Sequence, residues 1–275
     1  MKQSKKMTNN TIRVAILDMY DGAANEGLRC LKKIIENHTA GFEYEIFNVR
    51  QLMQFPDLSF DIYISTGGPG DPNDTGNWGT NYFQLMDDIM AFNKRNNYKK
   101  KNAFFICHSF QLMCNHLNLG DVTLRNRPSF GIFPVHKTLA AFEDNLLDDL
   151  TDPFYAVDSR DWQVVNPNHK QMEKIGAEIL ALEKIRDHVE FERALMAIKF
   201  TPEFYGTQFH PEADVEGMLT YFKREDKQTQ IIEQHGIGKY EQMMSSLNDP
   251  EKIKHTHTTV LPNFLEISIS TLQEI

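Results

Sequence analysis

The chain's strongest constraint is a rhythm. From residue 11 to residue 113, short apolar runs alternate with stretches of helical periodicity. TIRVAILD (11–18) is short and rich in β-branched residues, and it reads as a buried strand. DGAANEGLRCLKKIIENH supplies turn residues and then a helix with Leu28, Leu31, Ile34 and Ile35 on one face. FEYEIFNV and DIYIST read as the second and third strands. The third stops at the glycine-rich GGPGDPNDTGNWG, and NYFQLMDDIMAFNKRNN follows as an amphipathic helix. KKKNAFFI is the fourth strand, with a basic, solvated entry. Strands alternating with helices at this spacing demand right-handed crossovers. The expected class is therefore α/β: a mainly parallel, twisted sheet with helices on both faces.

The rhythm loosens afterwards. FGIFPVHKT reads as a strand, and its proline points to an edge or a bulge. PFYAVDSRDWQVV reads as a strand running into a loop, and EILALEK and RALMAIKF read as strands. RALMAIKF and YGTQFH are separated by the short TPEF, which predicts an antiparallel hairpin. Residues 213–224 are helical. This reading divides the chain into a tail at 1–11, expected to be disordered, a domain at 12–224, and an appended C-terminal helical extension at 225–275. In the extension Ile231, Ile232, Tyr240, Met243, Met244 and Leu247 fit a helix face that would pack on the chain's own domain.

Composition narrows the function. A net charge of −9 argues against a nucleic-acid-binding surface, which needs clustered Lys and Arg. No apolar run approaches a membrane span, and VAIL, followed by Asp18, is too short for a signal-peptide core. The expected location is the cytoplasm, with no nucleic-acid or membrane partner. The three cysteines, Cys30, Cys107 and Cys114, have no CxxC spacing, so neither a disulfide framework nor a zinc site is expected. The His pair in HTHTT (255–259) reads as loop histidines rather than metal ligands, and no cofactor is called for.

In a parallel sheet the working residues sit at the carboxyl ends of the strands. Two unusual stretches fall there: GGPGDP after the third strand and CHSFQ after the fourth. Cys107 lies just before the helical pattern Phe110, Met113, Cys114 and Leu117. Helix amides and a neighbouring imidazole would favour its thiolate. A buried structural cysteine is the competing reading of that segment alone. In GTQFHPEAD (206–214), Glu212 can accept a ring N–H of His210, fixing its tautomer and raising its basicity. A surface turn is the competing reading there. TGGPGD (66–71) exposes backbone N–H groups but carries neither a Walker lysine nor a dinucleotide fingerprint. Amide donors beside a nucleophile suggest an oxyanion hole, against a simple tight loop.

Taken in order, the GGPG loop, the strand-end Cys107 with Gln111 four residues on, FGIFPV, and QFHPE resemble a class I glutamine amidotransferase domain with a Cys-His-Glu triad. The resemblance spans roughly residues 12–224. It implies a flavodoxin-like fold. It implies that Cys107 attacks the side-chain amide of glutamine, with His210 as acid and base and Glu212 orienting it. The N–H groups of Gly68 and His108 would hold the oxyanion, and Gly70 and Gln111 would bind substrate. Ser159 and Arg160 fall where the family often has a Ser-His pair, and Arg160 could meet a substrate carboxylate or form a salt bridge. The family elbow G-x-C-x-G-x-Q is here F-I-C-H-S-F-Q, so Phe105 and Ser109 require either altered packing or an altered pocket. The remaining fifty or so residues are too few for a synthetase fold. The resemblance therefore leaves open a synthetase subunit in trans, a stand-alone enzyme cleaving a γ-glutamyl amide or peptide, or a non-catalytic subunit that keeps the fold. The C-terminal segment would be a homodimer contact, a lid, or a docking element.

Overall fold

The computed structural model describes residues 11–273 apart from 24, 186–191 and 248. The tail expected at 1–11 therefore lies, except for Thr11, outside the described residues. The described strands are β1 (Ile12–Asp18), β2 (Phe42–Asn48), β3 (Ile62–Ser65), β4 (Asn102–Ile106), β5 (Asp121–Lys137), β6 (Phe154–Val165), β7 (Glu178–Glu183), β8 (Leu195–Thr201) and β9 (Phe204–Thr207). The helices are α1 (Gly27–Glu36), α2 (Val49–Leu52), α3 (Gly79–Arg95), α4 (His108–His116), α5 (His169–Ile175), α6 (Val215–Lys223), α7 (Glu225–His235), α8 (Ile237–Leu247) and α9 (Pro250–Gln273).

The strands form one sheet in the order β2-β1-β3-β4-β9-β8-β7-β5-β6. The first five are parallel, and beyond β9 the neighbours alternate in direction. Only β8 and β5 run against the rest. The expected hairpin is β8–β9, turning at residues 202–203.

Side-chain alternation divides the sheet's two faces. Val14, Ile16, Ile62, Ile64, Phe104 and Ile106 face one layer, with Leu31, Ile34 and Ile35 of α1. Ala15, Leu17, Tyr63, Ala103 and Phe105 face the other, under α3 and α4. Both faces are dry, which is why these strands read as continuous apolar runs rather than as an alternating pattern.

Three features differ from the sequence reading. FGIFPVHKT is neither an edge strand nor a whole one, for β5 begins at Asp121 and lies between β7 and β6. Pro134 is tolerated because β7 pairs only with Val135–Lys137, and the register also shifts between Leu124 and Ser129. PFYAVDSRDWQVV does not run into a loop, since β6 continues to Val165 as the sheet's edge. The apolar stripe of 231–247 is split at Gly236 into α7 and α8. Ile231, Met243 and Leu247 are buried with Val157 and Phe222, Tyr240 and Met244 are partly buried there, and Ile232 is outside that cluster.

The last helix belongs to the core. Val260, Leu261, Phe264 and Leu265 of α9 join the layer that holds β1, β3 and β4, and Phe264 lies 5.0 Å from Phe104, centroid to centroid. His255 and His257 are on this helix rather than in a loop. His257 Nδ1 is 3.1 Å from the carbonyl oxygen of Glu212. Among the described residues no helix is long and apolar enough to cross a membrane.

Candidate active site

The site is assembled at the carboxyl ends of β1, β3, β4 and β9, where the sheet's direction makes four loops converge. At the end of β4, Cys107 adopts φ 49° and ψ −98° and caps α4. A non-glycine residue held there costs on the order of 1–3 kcal/mol, so the surroundings must over-determine it. They do. The Cys107 N–H donates to Thr207 O at 2.8 Å, and its carbonyl accepts from the N–H of Gln111 at 3.0 Å. His108, as the first residue of α4, keeps an N–H with no intrahelical acceptor.

The two residues that break the elbow pattern are both accommodated. The Ser109 hydroxyl accepts from the Ile106 N–H at 2.9 Å and donates to the Ser65 carbonyl at 2.7 Å, fully buried. It therefore ties the elbow to β3. Phe105 points away from the thiol, into the layer beneath α4, with rings of Phe200 and Phe204 at 5.8 and 5.7 Å. Room for that aromatic cluster comes from Gly206, its partner on β9. A Cβ there would sit 2.9 Å from Phe105 O, 3.0 Å from Phe200 and 3.1 Å from Phe110. The glycine this elbow needs lies across the ladder rather than along the strand.

His210 sits just past β9, its N–H bonded to Val157 O at 2.8 Å. Its Nδ1 meets Glu212 Oε1 at 2.8 Å, which leaves Nε2 for the thiol side. Burial pulls the ring's pKa down, but the charges of Glu212 and Cys107 and hydrogen bonds to both outweigh it, so the net shift is well upward. Glu212 is 2% exposed, and the ring nitrogen is its partner. The thiol of Cys107 donates to Ser159 O at 3.6 Å, and Gln208 Nε2 approaches Sγ at 3.8 Å.

The GGPG loop is held close by its lack of side chains. A Cβ on Gly67 would come within 2.9 Å of the His210 ring, and one on Gly68 within 2.2 Å of Met19 O. Gly70 has φ +106°. Arg50 braces the loop, donating to Met19 O at 3.1 Å and Pro69 O at 2.5 Å. Burial, helped by the Arg50 charge, pushes His108 down to about 3, so its ring is neutral.

Gln111 faces the same cleft and donates to Trp162 O and Gln208 Oε1, each at 3.1 Å. Ser159 contributes its carbonyl. Arg160 is occupied: it is buried, with Nε 2.9 Å from Asp158 and Nη2 3.1 Å from Glu183. Its pairing is thus an internal ion pair rather than a surface bridge. Tyr20, Arg50 and Gln208 were not singled out from the sequence. Tyr20 lies at the start of the loop after β1, and its hydroxyl is 3.5 Å from where a Gly67 Cβ would be. The strand-end rule that found Cys107 points to Tyr20 as well. Gln208 lies inside the QFHPE run itself.

Tyr20, Gly68, Gly70, Cys107, His108, Gln111, His210 and Glu212 line one cleft of about 810 Å³. A cysteine on a strained strand-to-helix turn, an imidazole held by a carboxylate, and a glycine loop form an arrangement chemically able to support thiol-dependent acyl transfer. The chain matches the glutamine amidotransferase class-I family over residues 15–225, and it belongs to that family. Solved structures with a similar fold include a glutamine amidotransferase from Thermotoga maritima, at 13% identity, with 94% of this chain and 98% of that one covered and a TM-score of 0.67. A glutamine amidotransferase from Methylobacillus flagellatus is similar at 13% identity, 94% and 95% coverage and 0.61. The glutaminase domain of Trypanosoma brucei CTPS, with acivicin bound, is similar at 13% identity, 95% and 95% coverage and 0.56. No curated protein sequence matches the chain.

Proposed function

We propose that the protein hydrolyses the side-chain amide of glutamine or of a γ-glutamyl compound through Cys107. The observation that carries this reading is the run Cys107–His210–Glu212, with His210 Nδ1 held 2.8 Å from a buried carboxylate. In this reading His210 Nε2 takes the thiol proton, and Sγ forms a bond to the amide carbon. The carbonyl oxygen becomes an oxyanion, held by the N–H groups of Gly68 and His108. Collapse breaks the C–N bond, and His210 returns the proton to the leaving amine. Water then attacks the thioester while His210 accepts its proton, the C–S bond breaks, and glutamate and the thiol are restored. Gln111 and Gly70 would hold the amino-acid end, whereas Arg160, already paired, would act by shaping β6. No cofactor enters the scheme. The amine passes to water or to a synthetase subunit in trans, and the site would work in the cytoplasm.

The test is ammonia and glutamate release from glutamine and γ-glutamyl amides, with Cys107→Ala as the control. Loss of at least about 1,000-fold in the variant is expected for a missing nucleophile. The reading fails if all these amides are inert and an electrophilic glutamine analogue leaves Cys107 unlabelled.

A further inference from the structure

The cleft extends well beyond what glutamine needs. Its volume of about 810 Å³ falls in the range of roughly 300–1,000 Å³ typical of pockets that enclose drug-sized ligands, and glutamine is a single amino acid. The direction of the surplus follows from the chemistry proposed above, on which this inference rests. The leaving nitrogen must face the imidazole that protonates it, so the amine part of the substrate lies on the His210 side. The glutamyl part lies toward Gly70 and Gln111.

On the His210 side the wall is apolar. Ser159, whose carbonyl meets the Cys107 thiol, pairs across the ladder with Phe130. Phe130 lines the same cleft as the thiol. Its ring lies 5.8 Å from that of Tyr221 on α6. Met218 and Ile231 complete this part of the cleft. Phe130, Met218 and Tyr221 are half-buried rather than sealed, as expected of a wall that faces an opening. Three of the acids nearby are already matched: Arg29 lies 2.7 Å from Asp214 and 2.6 Å from Glu26, and Glu212 is engaged by His210. Asp161, exposed on β6, is the cleft carboxylate left to meet a cationic amine, while an aromatic group would find two rings and two aliphatic side chains.

We propose that this site takes a γ-glutamyl amide of an arylalkyl amine, with the aryl group against Phe130, Met218, Tyr221 and Ile231. Burying a ring there favours the larger amide over glutamine by about 10–100-fold in kcat/KM. The cost of missing it falls on acylation, because the amine has left before the thioester is hydrolysed.

The experiment compares kcat/KM for γ-glutamylphenethylamide, glutamine and the cationic γ-glutamylputrescine. It also compares binding of the same three to the Cys107→Ala protein by calorimetry. Expected are a preference of at least tenfold for the phenethylamide in both measurements, and a ratio to glutamine that shrinks toward one in Phe130→Ala and in Tyr221→Ala. Equal binding and equal turnover of the three, or preference for the putrescine amide, would overturn the proposal while leaving glutamine hydrolysis intact. So would an unchanged ratio in both variants. If the Cys107→Ala protein binds the phenethylamide tightest but the wild type cleaves nothing, the catalytic reading fails and the ligand class stands.

Discussion

Ser109 offers the sharpest test, because resemblance and structure point opposite ways. Resemblance favours glycine at that position, so Ser109→Gly would be neutral or stabilising. In the structure the Ser109 hydroxyl is fully buried and joins the Ile106 N–H at 2.9 Å to the Ser65 carbonyl at 2.7 Å. Removing it leaves two buried backbone groups without that partner, each worth about 1–3 kcal/mol when unmatched. Partial relaxation brings the expected loss to about 2–4 kcal/mol for Ser109→Ala, and glycine in a helix adds up to about 1 kcal/mol. At a urea m-value of about 3 kcal/mol/M, the midpoint should fall by roughly 0.7–1.3 M in Ser109→Ala and further in Ser109→Gly. The lost bond is one residue from Cys107, so alkylation of the thiol by iodoacetamide should change rate in the same variants. A Ser109→Gly protein as stable as the wild type would refute the claim that the hydroxyl holds the elbow.

Other consequences can be checked independently. Glu212 raises the His210 pKa, and the ring must be unprotonated to take the thiol proton, so Glu212→Gln should shift the acidic limb of the pH–rate profile to lower pH; an unmoved limb would separate the carboxylate from the imidazole. A raised pKa contributes stability below the unfolded value of about 6.5, lost as pH rises through the folded value, and this contribution should be missing in Glu212→Gln. His108 behaves in the opposite sense: with its pKa lowered from 6.5 to about 3, the unfolded chain binds the extra proton, and stability falls as pH drops below 6.5. Between pH 6.5 and 5 that single ring should account for about 2 kcal/mol, and urea titrations of His108→Gln should show a correspondingly flatter acid side. Phe264→Ala, emptying a fully buried site against Phe104, should cost about 3–5 kcal/mol by the same method. A loss below about 1 kcal/mol would mean that α9 is an accessory to the fold.

The positions of Cys107, His210 and Glu212 at one cleft were legible because each lies in a local pattern: a strand end, a helix start, a proline between two polar residues. The parallel strands β1, β3 and β4 were legible because both their faces are dry, so nearly every residue in them is apolar. β5 and β6 were harder to read. The register shifts between Leu124 and Ser129, and charged residues such as Arg125 and Asp161 fall at that shift and break the apolar pattern there. Arg160 read as a substrate contact or a surface salt bridge, because its partner Glu183 lies 23 residues away, on β7, and burial beside it leaves no trace in the sequence. The extension looked appended because helical periodicity shows that a helix has an apolar face but not what covers it. α9 turned out to cover the central strands.

Order along the chain thus determined the α/β class and the candidate site's place at the strand ends, since these depend on neighbours a few residues apart. Tertiary structure alone decided whether the elbow could exist without its glycines. Ser109 bonds to β3, and the space for Phe105 is provided by Gly206, which is 101 positions away and adjacent only because β4 and β9 pair in that register. It also decided the shape of the cleft, because Phe130 and Tyr221 come from separate elements and only their packing builds one of its walls. Contacts set by sheet register and helix docking leave no local trace in a sequence, and those contacts are what orient the Cys107 side chain.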